Sequence, residues 1–241
     1  MIWPGRRSPR PTGGRGRRPK QPQRVERLPL SDLRPDPAAF LGQTAYLQLA
    51  MFETATAIAG RASDLADRAT LTRVASEVLA KHHRLADLLT ARGLDPTAAM
   101  RPYTDEVERY RRRLGETGWY ESVLTLHLAI GLLDDFFARL AEGLPEDDAA
   151  AREVLAVDPG HEALEAMLRA ALAADPRLPS RLSLWGRRLV GDTLLVARAA
   201  LATARIADGT PAETDEVRVE PVLSEVVAAH SRRMDALGLT A

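Results

Sequence analysis

The chain runs to 241 residues, contains no cysteine and carries 33 basic against 33 acidic side chains. It is long enough to bury a sizeable core, and the missing thiols exclude disulfides, thiolate zinc sites and Cys-ligated clusters, which suits a cytoplasmic protein. Hydrophobic residues at 45% and charged residues at 27% are ordinary for a soluble chain; no apolar run reaches the length of a membrane span, and the first residues lack the apolar centre of a secretory signal, so neither insertion nor export is expected.

The neutral total hides a split. Residues 1–27 hold nine Arg or Lys against one acid, Glu26. The segment PGRRSPRPTGGRGRRPKQPQR has almost nothing to bury, so residues 1–35 are expected as a disordered basic tail and 36–241 as the folded domain. Such an arm either attracts nucleic acid or an acidic partner, or is passive. Only Trp3 is interleaved with its arginines, which favours the passive reading.

Asp36-Pro37 supplies an N-cap followed by Pro at the first helical position and predicts a long first helix to about Arg61. The 24 residues from Pro37 to Gly60 carry one formal charge, Glu53. Because the stretch is apolar on nearly every side, Glu53 is expected to face protein. There an ionised carboxylate shifts its pKa, pairs with a cation or binds a metal. Ser63 or Asp64 opens a second helix whose leucines and valines recur at helical spacing as far as Leu89, stopped by Gly93 and Pro96. The polar piece DEVERYRRRLG reads as a surface helix within a crossover. Thr117-Gly118 begins a third long helix, closed by Gly143 and Pro145, and a weaker one covers Glu146 to Ala156. Asp158-Pro159 repeats the cap-and-Pro signal and starts a helix that stops near Asp175-Pro176. Ser180 caps another long helix ending at Asp208-Gly209, a polar loop follows to Val219, and a last amphipathic helix runs from about Pro221 to Leu237. Strand signals hardly appear, and long apolar helices with one crossover describe an all-α bundle.

Carboxylates and histidines inside bundle helices are natural metal ligands, so each acid or imidazole on an apolar helix is weighed against a bland role. Glu53 reads equally well as an acid paired with an Arg. On the second helix Glu77, His82 and His83 stand close together, but KHHR also reads as a solvated polar stripe; His83 shares a face with Asp87. On the third, Glu121 lies in the first turns, where the helix dipole favours a carboxylate anyway, and His127 sits between leucines like a core histidine. Asp158 and His161 have the three-residue spacing of a helical ligand pair, although Asp158 also serves as an N-cap. Glu162 and Glu165 are expected on the wet side.

In order, a Glu in an apolar first helix, a His-bearing second helix, a crossover, a third helix, an acid-x-x-His start to the fourth and LWGRRLVGD in the fifth resemble the ferritin-like superfamily. Within it, the chain resembles an actinobacterial branch related to bacterial tRNA hydroxylases that act on 2-methylthio-isopentenyl-adenosine. The resemblance covers roughly residues 38–241 through YLQLAMFE, GLDP, DDFF, ADPRLPSRLSLWGRRLVGD and RRMDALGL. It implies an up-down helical bundle with a long crossover and extra C-terminal helices. It further implies iron held by a Glu from each of two helices and Glu-x-x-His from the other two. Carried over, Glu53 matches the first-helix Glu, Glu121 the third-helix Glu, and Asp158 with His161 the last pair, with Asp for Glu. His83 stands on the second helix, where no acid precedes it or His82 by three. The resemblance implies an O2-activating hydroxylase with an incomplete iron site and tRNA as a partner; no membrane partner is expected from the apolar runs, and a homodimer is left open. The alternative is a catalytically silent bundle that acts as a binding or scaffold module.

Overall fold

The computed structural model describes residues 33–105, 107–108, 111, 118–202, 204–206 and 216–241. Helix α1 (Pro37–Arg61) begins where Asp36 accepts a hydrogen bond from the Ala39 amide at 2.8 Å, with Pro37 in the first turn. Asp64 caps α2 (Leu65–Ala91) through the Ala66 and Asp67 amides. These two helices pack along their length as a hairpin. Gly93 ends α2 in the left-handed region at φ 72°, a conformation open to glycine at little steric cost. Pro96, expected as a stop, instead opens the short helix α3 (Pro96–Met100) under an Asp95 cap.

The hub of the molecule is α4 (Trp119–Ala141), which packs against α1 and against every helix that follows it. Those helices are α5 (Ala149–Ala156), α6 (His161–Ala174), α7 (Leu178–Ala202) and α8 (Glu216–Ala236). From Val123 to Leu133 every residue of α4 is buried, so its near-continuous apolar sequence reflects contact on all sides. Phe40 of α1 meets Phe137 of α4 edge-on at 5.8 Å, within one core that joins all the long helices. The all-α bundle with a crossover and extra C-terminal helices is therefore what the chain forms.

Several boundaries differ from the sequence expectations. The fifth long helix starts at Leu178 rather than after Ser180 and ends at Ala202. Beyond it, β2 (Ala204–Ile206) pairs antiparallel with β1 (Leu33–Pro35), Leu33 opposite Ile206. This small ladder takes up backbone groups that a longer helix would have satisfied internally, and it buries Leu33 completely. It also brings residues 33–35 into the fold. The remainder of the expected tail, residues 1–32, lies outside the described residues, as do 207–215 of the expected loop and most of 109–117 in the crossover. Helix α8 starts at Glu216, five residues before the expected Pro221.

Candidate metal centre

The five sequence-predicted ligands do not converge. Glu53 is corrected first: its side chain is 47% exposed and forms an ion pair with Arg111 at 2.5 Å, which Glu108 shares at 2.8 Å. The error came from equating apolar composition with burial. The face of α1 that carries Glu53 also carries Thr56, Ala57 and Gly60, residues small enough to stand in solvent at little cost, while Met51, Ala55 and Ile58 face inward. His83 is exposed and only tilts against the ring of His82. The KHHR stripe is not uniformly solvated: Lys81 and His82 beside it are buried, and His82 Nδ1 lies 2.8 Å from the Ala45 carbonyl oxygen. Glu121 is buried but held by Arg181, whose Nε lies 2.5 Å from one carboxylate oxygen. Asp158 is exposed and accepts hydrogen bonds from the Gly160 and His161 amides at 3.2 and 2.8 Å, the capping role.

His161 is the exception. It stands at the first turn of α6, where the left-handed Gly160 (φ 101°) turns the chain into the helix. Its ring stacks on His127 of α4, centroids 4.3 Å apart and planes 16° from parallel. Glu165, one turn further along α6, brings a carboxylate oxygen to 3.8 Å from His161 Nε2 and pairs with Arg169 at 2.6 Å. One ligand atom from each of His127, His161 and Glu165 falls within 4.8 Å of the others. Glu165, expected on the wet side, is only 21% exposed.

Burial leads the electrostatics here. It lowers the His127 imidazole to about 3, with His161 and Arg233 adding to the effect. His161 is lowered too, by burial and then by Arg233. Both rings are thus neutral near pH 7, the form that ligates metals. The buried Nδ1 atoms of both rings lack a hydrogen-bond partner among the described residues. A buried polar atom with no partner is uncommon in a settled fold and calls for a ligand, ion or water.

His161 also lines a cleft of about 380 Å3 between α4 and the Leu155–Glu162 segment, with Asp134, Asp135, Asp158 and Arg233 among its walls. Asp134 in its wall is held from behind by two buried side chains. Lys81 Nζ donates to Asp134 Oδ2 at 2.7 Å, and Gln48 Nε2 donates to Oδ1 at 2.8 Å. Burial raises the Asp134 carboxyl, while Lys81 and Gln48 pull it back down.

A family model described as a ferritin-like domain of actinomycetes matches residues 35–208. The chain belongs to that family. No curated protein shows a significant match to it. This ferritin-like chain does not present, among the described residues, the carboxylate set that two irons need. Among the described residues, the buried acids Glu121, Asp134 and Asp148 are each paired with a base, namely Arg181, Lys81 and Arg92. Two imidazoles and a carboxylate, by contrast, suit one divalent transition-metal ion, and each ring keeps a buried nitrogen without a partner. The nearly parallel rings send their in-plane lone pairs side by side, so one ring must turn before both hold the same ion.

Sequence reasoning missed two of the three residues. His161 and Glu165 are four apart on one helical face, a legible signal. His127 offered none, because a histidine among leucines looks the same whether or not another imidazole lies across from it.

Proposed function

We propose that this ferritin-like protein binds a single divalent metal ion through His127, His161 and Glu165, and that with iron it acts as an O2-dependent hydroxylase. The observation that carries the first step is the pair of buried, partnerless imidazole nitrogens beside a carboxylate. Iron held by these two imidazoles and one carboxylate would supply dioxygen activation for hydroxylating an unactivated carbon. The chain's own residues do the rest. The α4 core keeps the inner side apolar, and Lys81 and Gln48 hold Asp134 in place in the cleft wall. Asp158 holds the first turn of α6, and with it His161, through its backbone. A modified tRNA base as substrate rests on the family resemblance and on the basic residues 1–27.

The competing reading, a silent scaffold, is favoured by the bases that neutralise Glu53, Glu121 and Asp134. Metal binding separates the two. Chelator-stripped protein titrated with Co2+ is expected to bind one equivalent, read by visible absorption. His161→Ala and Glu165→Ala should abolish it while Glu53→Ala leaves it intact. Uptake that is unchanged in His161→Ala, or absent from folded wild-type protein, would sink the metal reading.

A further inference from the structure

Arg233 belongs to α8, beyond the stretch that matches the ferritin-like family. It crosses back over the face of α4 that carries His127, Gly131 and Asp135. Its Nη2 donates to the Gly131 carbonyl oxygen at 2.7 Å and pairs with Asp135. Gly131 permits this approach: a Cβ there would lie 2.3 Å from Arg233 Nε and 2.9 Å from His161 Cε1. The guanidinium and the His161 ring therefore meet over one point, and both ring nitrogens of His161 are bonded to that carbon. The Arg233 side chain is only 15% exposed, so water screens it weakly, and its buried Nε finds no acceptor among the described residues.

A metal at either nitrogen of His161 would sit about 2 Å from the ring, and so next to a fixed positive charge. Resting on the metal reading above, we infer that Arg233 and the metal ion compete for one electrostatic seat, so that α8 is a latch released by metal. With the site empty, the guanidinium supplies the local positive charge against Asp135, Asp158 and Glu165. With the ion in place, Arg233 is repelled toward the cleft mouth and α8 loses its anchor on Gly131.

The test is Zn2+ calorimetry on the full chain. Arg233→Met, which keeps the apolar stem and removes the charge, should bind about tenfold tighter or more than wild type, whereas Arg233→Lys should stay near wild type. In unaltered protein, saturating Zn2+ should speed hydrogen exchange in residues 223–236, a readout that does not depend on a variant folding well. Equal affinity in Arg233→Met and wild type would overturn the latch and leave the metal site standing. Protection of 223–236 that rises with Zn2+ would overturn it as well. If wild type and Arg233→Met are both folded and neither takes up Zn2+, the metal site itself falls, and the latch with it.

Discussion

Two buried polar clusters lie against the same helix and differ in how their charges are matched. Where α1, α2 and α4 meet, Lys81 and Gln48 satisfy both oxygens of Asp134. Where α4, α6 and α8 meet, two imidazoles and a guanidinium leave buried nitrogens without partners. The first cluster pairs its acid with a base and leaves over one amide oxygen, Gln48 Oε1. The second gathers imidazoles and a carboxylate beside a cleft, a set able to take an atom from outside. Buried polarity alone does not mark a site; potential ligand atoms gathered at one place do.

That contrast can be broken at its strongest point. Lys81→Met strands a buried carboxylate and is expected to lower unfolding free energy by about 3–5 kcal/mol, measured by urea denaturation. The double change Lys81→Met with Asp134→Leu should recover most of the loss, since an apolar pair of similar volume replaces the ions. Failure of the single variant to destabilise would remove the distinction between the clusters.

The next effect is on acid stability. His127 is neutral in the fold with a pKa of about 3 against 6.5 in the unfolded chain, so the unfolded chain takes up the proton first. Stability is then complete above pH 6.5 and falls as pH drops through the window from 6.5 toward 3, by about 3 kcal/mol near pH 4. His161 and His230, both lowered mainly by burial, add in the same direction. His127→Gln should flatten the profile of unfolding midpoint against pH, and an unchanged profile would contradict the burial of this ring.

Smaller effects refine the picture at the remaining acids. Arg181→Met leaves Glu121 buried without its base, but Arg181 is 55% exposed, so a loss of about 1 kcal/mol is expected in the same denaturation assay. Glu53→Ala should cost about 0.5 kcal/mol or less, the scale of a solvent-exposed ion pair. A cost of several kcal/mol there would restore the buried carboxylate that the sequence suggested.

Caps, glycines and apolar periodicity placed the long helices within a few residues, because these signals act through neighbouring backbone and need no distant partner. Asp36-Pro37, Asp64, Gly93 and Gly118 mark real ends for that reason. The orientation of α1 was not legible, since alanine and threonine tolerate either side of a helix, and Glu53 turned outward. Nor was β1–β2, whose pairing joins residues about 170 apart in the chain.

The sequence by itself determined an all-α bundle, its order of helices and the residue types able to hold a metal. Only the tertiary structure decided which of them meet. His127 and His161 lie on different helices, and the missing side chain of Gly131 leaves room for the His161 ring, which a Cβ there would approach to 2.9 Å. Local pattern fixes which face of a helix a residue occupies, whereas the identity of what lies opposite is a product of packing between elements distant in the chain.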